Sequence, residues 1–370
     1  SNDNGNGNGN DNDNHHGGSS KTTESDHRAR EEDRLLQSCP NLTIVRYNAD
    51  DAESRGGKYP VNRLRNVGLD LVTTTHVLVI DVDFVPSVDL DVLVRETALV
   101  AEQQQQQQQR ARDGNNDDDE EPGNRRHHRR PHNDKNNHNH KRAIVVPAFE
   151  KKPPGECSDA PDAAECMGRY LRDDGGFLPR TFGELKDCYT GSKKECVVFQ
   201  TKYNREGHST TMSNQWIHGH WYEHEDQDQH HSDRPGAFRK IPCFHAVRYE
   251  PYVVLEWCPS RSATAIAANE GGGSATVPAA PFYDERFYGY GKNKIELVSH
   301  LRWSGYGFEV LPEGFLIHNP HPESRTKERW NDRKRNDLHS SMDRLYAKFT
   351  GELEAMYDHG HGIATELCDP

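Results

Sequence analysis

The chain lacks any apolar run approaching the ~20 residues of a membrane span, and no signal peptide is visible. It opens at Ser1 without an initiator Met, so upstream targeting sequence is expected to lie outside it. No C-x-x-C occurs among its eight cysteines, which argues against a zinc site. Apolar residues are scarce, at 32% of 370 residues, beside a net charge of −13. The shortage is local. The start of the chain is Asn/Gly/Asp-rich, and residues 102–142 hold a Gln run, an acidic block and a basic His/Asn block. Segments with so little apolar content cannot offset chain entropy and are expected to be disordered. The basic cluster Arg125–Arg130 follows an acidic block and has no interleaved aromatics, so it reads as solvated and not as a nucleic-acid contact.

What remains, about 300 residues, is enough for one sizeable domain. Its most informative stretch is His76-Val77-Leu78-Val79-Ile80-Asp81-Val82-Asp83-Phe84-Val85-Pro86. The apolar run reads as a strand buried on both faces, which favours a parallel sheet under helices. In a strand, residues i and i+2 point the same way, so Asp81 and Asp83 are expected to present their carboxylates together. Ligands of open α/β sheets bind at the carboxyl ends of strands, and two hard oxygen ligands there suit Mg²⁺ or Mn²⁺ carrying substrate phosphates. The same spacing recurs at Asp11/Asp13, Asp89/Asp91 and Asp226/Asp228, but only the pair at 81/83 follows an apolar strand.

The remaining pattern supplies the frame. Leu42–Tyr47 reads as a strand and Val61–Leu71 as a helix. Val88–Ala101 is a helix with Leu90, Leu93, Val94, Ala98 and Ala101 on one face, and Ala143–Phe149 is a strand. Tyr252–Trp257 follows as a strand and Asn293–Trp303 as a helix stopped by Gly305. Phe308–Leu311 and Phe315–His318 look like a hairpin, and Asn336–Tyr357 closes as an amphipathic helix. The alternation predicts an α/β fold, with a mostly parallel central sheet flanked by helices and interrupted by disordered insertions. The organisation expected is a disordered segment over 1–34, a domain over 35–357 and a tail over 358–370. Inside the domain, 102–142 is a low-complexity insertion, 150–200 a Cys-containing loop insertion and 260–279 a flexible linker. Cys157, Cys166, Cys188 and Cys196 read as two disulfides stapling that insertion, with free buried thiols as the alternative. Asn41-Leu42-Thr43 is an N-glycosylation acceptor if the chain is secretory.

Three further segments carry chemistry. The helix opened by Tyr59-Pro60-Val61 can direct Asn62, Arg65 and Asn66 towards a phosphate or ribose. Asp284-Glu285-Arg286-Phe287-Tyr288-Gly289-Tyr290-Gly291 places acids before a loop whose rings can stack on a sugar. His318, in Leu316-Ile317-His318-Asn319-Pro320-His321, can complete an O/N ligand set for Mn²⁺.

In this order, the segments resemble the LARGE-type glycosyltransferases, family 49, of the GT-A fold. The resemblance runs from about Leu42 to Leu353. It rests on Tyr-Pro-Val-Asn-x-Leu-Arg-Asn-Val at 59–67, Asp-x-Asp-Phe-x-Pro at 81–86 and Ile-Val-Val-Pro-Ala-Phe-Glu at 144–150. Gly207-His208 with Trp216, Tyr249-Glu250-Pro251-Tyr252, Asp284 to Lys294, and Val310-Leu311-Pro312 running into Phe315-Leu316-Ile317-His318 add to it. It implies a Golgi-lumenal part of a type II membrane protein whose anchor lies outside this chain. It also implies a metal-dependent, inverting transfer of glucuronic acid, xylose or another sugar from a UDP-sugar to a glycan or glycoprotein. Asp81, Asp83 and His318 fall on the metal ligands, for Mn²⁺ or Mg²⁺. Asn62, Arg65, Asn66, Asp81, Lys294 and His321 are expected at the donor, and Trp216, Glu250, Tyr288 and Tyr290 at the acceptor.

Related β-galactosyltransferases carry acids where Lys292, Asn293 and Lys294 stand here. The general base is therefore expected to be Asp284 or Glu285, with Glu250 behind them. The family's first strand would lie before the alignable residues. These departures keep open an inactive, glycan-binding relative as the alternative. A haloacid-dehalogenase-like phosphatase would use Asp81 as nucleophile and Asp83 as acid, but Gly-Thr usually follows there and Phe84-Val85 follows here.

Overall fold

The computed structural model describes residues 24–39, 41–47, 59–97, 141–158, 166, 169–170, 177–201, 204–219, 238–257, 280–321, 325–332, 337–357 and 363–369. The expectations for 102–140, for the linker 260–279, and for Ala98 and Ala101 lie outside these residues. The chain forms two compact units, residues 1–48 and 49–370. In the first, α1 (Glu24–Ser38) is built from good helix formers such as Glu, Arg and Leu, and Glu32 pairs with Arg46. Residues 24–34, expected to be disordered, are therefore helical. The strand expected over Leu42–Tyr47 does not form. Among the described residues, 42–47 have no ladder partner, and Leu42, Ile44 and Val45 are exposed.

The second unit carries three sheets. Its strands are β1 (His76–Leu78), β2 (Phe84–Pro86), β3 (Arg142–Val146), β4 (Ala148–Lys151), β5 (Cys196–Val198) and β6 (Arg239–Ile241). They continue with β7 (Cys243–Phe244), β8 (Tyr252–Glu256), β9 (Gly307–Val310), β10 (Leu316–His318) and β11 (Glu366–Leu367). The larger sheet runs β1-β8-β3-β9-β6, the smaller β2-β10-β4-β5, and β11 pairs with β7. Only β3/β9, β4/β10 and β7/β11 are parallel; the other ladders are antiparallel. The sheet expected to be mostly parallel is thus mixed. A continuous apolar run reports burial on both faces, and β3 and β8 meet that demand side by side in opposite directions.

Three times the chain leaves the larger sheet and enters the smaller one over a short connection. It does so between β1 and β2, at Pro147 between β3 and β4, and over 311–315 between β9 and β10. The hairpin expected around Pro312-Glu313-Gly314 is therefore a sheet crossover. A Cβ at Gly314 would sit 2.4 Å from Leu311 Cδ2 and 2.9 Å from Leu90 Cδ1, so both buried leucines would have to shift. The crossings bring the ends of β1 and β10 together, and that convergence builds the site.

Helices cover the sheets. α2 (Val61–Asp70) buries Asn62, Asn66 and Leu69, spaced i, i+4, i+7 on one face. α3 (Phe182–Thr190) begins in a capping box between Thr181 and Glu184 and buries Leu185. Residues 90–97 form a helix that buries Leu90 and Val94 against Phe84, Leu311 and Leu316. α4 (Ile295–Trp303) enters the main core with Leu297, Val298 and Leu301, and α5 (Leu338–Met356) packs Met342, Phe349 and Leu353 on Phe287.

The cysteines of the insertion pair as Cys157–Cys166 and Cys188–Cys196. A third disulfide, Cys243–Cys368, closes 125 residues and constrains the unfolded chain by about 4–5 kcal/mol in the chain-entropy view. With the β7/β11 ladder, it pins the segment expected to be a tail.

Candidate functional site

Asp81 and Asp83 do not lie in a strand. Residues 79–81 leave β1, and a turn closed by Phe84 N–H donating to the Asp81 carbonyl at 3.1 Å leads into β2. Val82 at its tip is fully exposed. A turn has no i, i+2 alternation, so the two carboxylates need not share a direction, and they have different partners.

Asp83 faces two imidazoles. Its Oδ2 lies 3.1 Å from His318 Nε2 and 2.8 Å from His321 Nε2. The backbone clamps this pairing, since Asn319 N–H donates to the Asp83 carbonyl at 2.8 Å. Burial works against the charge of Asp83, yet the hydrogen bond and charge of His318 and the hydrogen bond of His321 hold its pKa below the ordinary value. Among the described residues, its Oδ1 is buried without a hydrogen-bond partner. One ligand atom each from Asp83, His318 and His321 lie within 4.8 Å of one another. A buried, unsatisfied carboxylate oxygen is costly, and one oxygen with two imidazoles fits a first-row divalent cation better than an oxygen-seeking ion such as Mg²⁺.

Asp81 faces cations. Arg65 Nη2 donates to its Oδ1 at 2.9 Å, while Oδ2 accepts from Tyr252 Oη at 2.8 Å and Lys294 Nζ at 3.2 Å. Lys294 Nζ also donates to Tyr252 Oη at 2.9 Å. Burial opposes the charge, but Lys294 and Arg65 outweigh it and hold Asp81 well below the usual carboxylate range. Among the described residues, the cation-competent group therefore contains Asp83, His318 and His321. Asp81, expected as a ligand, is the counter-ion of Arg65 and Lys294, and His321, expected at the donor, joins the cation group. The His-x-x-His spacing at 318 and 321 was the sequence signal for it.

Asn62 and Asn66, expected at the donor, direct their polar atoms to other segments of the chain. Asn62 Nδ2 donates to the Asp284 carbonyl and to Glu296 Oε1, and its Oδ1 accepts from Arg65. Asn66 Nδ2 donates to the Tyr283 carbonyl and Glu285 Oε1, and its Oδ1 accepts from Tyr283 N–H. Both are buried and latch α2 to the 283–296 segment. Asn293 completes the latch, bridging Arg65 Nη1 and the Gly289 carbonyl.

The acids expected as base are also committed. Asp284 is held in a fork by Arg286, which also pairs with Glu352, and exposed Glu285 accepts from Asn66. Trp216, expected at an acceptor, is core. It is buried, packs edge-on against Phe182, and donates Nε1–H to the Leu311 carbonyl at 2.9 Å. Tyr288 packs on the Phe287–Leu353 cluster, and the Tyr290 ring lies 5.9 Å from Trp330. Lys292 turns onto α5, pairing with Asp343 at 3.1 Å.

Several neighbours complete the surroundings, and of these Phe199 and Asn204 carried no sequence signal of their own. Glu150 is in register with His318 across the β4/β10 ladder, and burial raises its pKa. Phe84 and Phe199 flank the His318 ring at 5.2 and 5.1 Å. His208, whose ring lies 5.3 Å from Phe199, has a buried Nε2 without a partner, and burial lowers its pKa to about 3. Glu250 is held by Asn204, whose Nδ2 donates to Oε1 at 2.6 Å. The arrangement can hold a divalent cation and, beside it, an anion on Arg65 and Lys294.

Comparison with known proteins supplies the class: by descent the chain belongs to a glycosyltransferase family. Residues 12–358 match the family described as "Glycosyl-transferase for dystroglycan", and the chain belongs to that family. Glycosyltransferase-like protein gnt14 of Dictyostelium discoideum is 24% identical over 323 residues, covering 85% of this chain and 34% of that protein. Xylosyl- and glucuronyltransferase LARGE2 of Mus musculus is 24% identical over 306 residues, covering 81% of this chain and 30% of that protein. Beta-1,4-glucuronyltransferase 1 of Homo sapiens is 38% identical over 84 residues, 21% of this chain and 18% of that protein. The chain thus spans about a third or less of the length of these relatives.

Proposed function

We propose that this protein is a metal-dependent, inverting glycosyltransferase of the GT-A type. It moves a sugar from a UDP-sugar to a hydroxyl of a glycan or glycoprotein. Glucuronic acid is the first choice of sugar, because glucuronyl transfer is in the names of relatives across both similarity ranges; xylose is the second. The observation that carries the reading is the Asp83–His318–His321 group, with its unsatisfied Oδ1, beside the Arg65–Lys294 pair. Those three residues would hold Mn²⁺, which when bound supplies Lewis-acid stabilisation of charge on the diphosphate. Arg65 and Lys294 offer a cationic wall to an anion, and Lys294 suits the carboxylate of a uronic acid. Phe84 and Tyr252 form the rigid floor on which these groups stand, with ring centroids 4.7 Å apart. The domain proposed spans 35–357, with the insertions as read from the sequence.

A screen of transfer and hydrolysis across UDP-sugars, with and without Mn²⁺, tests this reading. Turnover of at least one UDP-sugar that chelation abolishes is expected; no turnover of any would leave the inactive, glycan-binding reading. That second reading draws on Lys292, Asn293 and Lys294 standing where acids do in related enzymes, and on the commitment of Asp284 to Arg286.

We further propose a secretory-pathway, Golgi-lumenal setting. Three disulfides call for an oxidising compartment, and Asn41 of the sole Asn-x-Ser/Thr acceptor is exposed in a turn. Among the described residues, no helix is long and apolar enough to cross a membrane. Secretory expression should yield a protein whose gel mobility shifts on glycosidase treatment, with the shift absent in Asn41→Gln. An unshifted wild-type band would count against this setting.

A further inference from the structure

The proposed reaction needs a group that takes a proton from the acceptor hydroxyl, and most carboxylates near the site are committed. Asp81 is saturated by Arg65, Lys294 and Tyr252. Asp83 belongs to the histidine group, and Glu150 accepts a backbone hydrogen bond from Gln200. Asp284 is locked by Arg286. Glu296 is sealed in the interior, where Oε1 accepts from Asn62 and from Asp284 N–H. Glu285 also has a single amide partner, Asn66 at Oε1, and is exposed. Glu250 differs from all of these in standing within the electrostatic reach of Lys294, Asp81 and Arg65 together. It is half-buried at the entrance to β8, and among the described residues its Oε2 has no hydrogen-bond partner.

We infer that Glu250 is the general base for acceptor activation and that Asn204 is the residue that aims it; this rests on the glycosyltransferase reading above. Asn204 caps the short helix Arg205–Ser209, accepting from Gly207 N–H at Oδ1. That contact fixes the amide orientation and leaves Nδ2 pointing at Glu250 Oε1. The backbone is tied as well, since Glu250 N–H donates to the Gly207 carbonyl at 2.9 Å. Gly207 has no room for a side chain: a Cβ would lie 2.4 Å from Asn204 Nδ2 and 3.1 Å from Glu250 Cγ. A three-residue device thus holds one carboxylate oxygen and leaves the other available. Two residues on, Tyr252 reaches Asp81, so Glu250 sits at the edge of the cationic wall.

In the step assigned to it, the acceptor O–H proton passes to Glu250 Oε2. The acceptor oxygen bonds to the anomeric carbon of the donor. The bond from that carbon to the diphosphate breaks, and its electron pair stays on the phosphate oxygen. The surroundings suit a base. Burial raises the Glu250 pKa, and Asp81 adds to the rise; Lys294, the Asn204 hydrogen bond and Arg65 pull it back. A carboxylate whose pKa is raised is, once ionised, the stronger base. Tyr252, two residues on, is neutral, because burial and Asp81 raise its pKa well above the ordinary value.

The test compares the unmodified protein with Glu250→Gln, which keeps the shape and the Asn204 contact. Transfer is expected to fall about 10²–10⁴-fold in kcat with KM for the UDP-sugar little changed. The acidic limb of the pH–rate profile, falling as Glu250 protonates, should vanish. In Glu250→Ala, added formate should restore part of the rate, which a merely structural role would not allow. Asn204→Ala should move the acidic limb without removing it. An active unmodified protein with Glu250→Gln within about threefold of it, or an unchanged acidic limb, overturns the assignment of Glu250 alone. No transfer by the unmodified protein from any UDP-sugar overturns the glycosyltransferase reading, and this assignment with it.

Discussion

Asp83→Asn should remove Mn²⁺ binding measurable by titration and lower sugar transfer about a thousandfold. The substitution is nearly isosteric and leaves the turn intact, so its effect is chemical. It removes the one charged oxygen donor from the Asp83–His318–His321 group and replaces the buried, unsatisfied Oδ1 with a neutral amide atom. Metal-ion stabilisation of a transferring group is worth several kcal/mol, and ~4 kcal/mol corresponds to about three powers of ten in rate. His318→Ala should behave alike, because His318 is the more buried of the two histidines and is fixed between Phe84 and Phe199. Retention of tight Mn²⁺ binding by Asp83→Asn would remove the basis for placing the cation there.

Asp81→Asn should give the opposite pattern: a large loss of stability with measurable cation affinity kept. Removing one partner of a buried pair costs ~3–5 kcal/mol. The Asp81 side chain is 36% exposed, so solvent screening brings the expected loss to roughly 1–3 kcal/mol. Arg65 and Lys294, exposed at 10% and 16%, are left without their counter-ion. Because the folded pKa of Asp81 is depressed, its contribution is complete above the unfolded value of about 3.9. It is lost as pH falls through the folded value. Wild-type stability should therefore drop below about pH 4 by a component that Asp81→Asn lacks. Denaturant melts across pH 2–7 would reveal it. Mn²⁺ affinity should fall no more than about 10–100-fold, as for an outer-sphere change. A loss as complete as in Asp83→Asn would make Asp81 a ligand after all.

The contrast between the two aspartates shows what could be read from sequence. The apolar run before Asp81, the helices over Val61–Asp70, Ile295–Trp303 and Leu338–Met356, and the disulfide-bearing insertion all follow from local periodicity and spacing. His318 was legible as a strand-end imidazole. Asn62, Asn66 and Trp216 were placed by motif at a ligand, but packing uses their polar atoms to join segments far apart in the chain. Strand direction was misread because burial on both faces does not depend on it.

By itself, the sequence determined that an α/β unit would form, that a strand would deliver two acids to its end, and that a histidine would close a later strand. It also carried enough ordered motifs to indicate the family. Only the tertiary structure decided which partners each acid meets. A carboxylate's role is set by the charges that arrive at its oxygens, and here they arrive from afar. Arg65 and Lys294, 16 and 213 residues from Asp81, converge on it, while His318 and His321, 235 and 238 residues from Asp83, converge on that residue. No local pattern encodes that sorting. It results from the chain changing sheets between β1 and β2, which turns two neighbouring aspartates towards different partners.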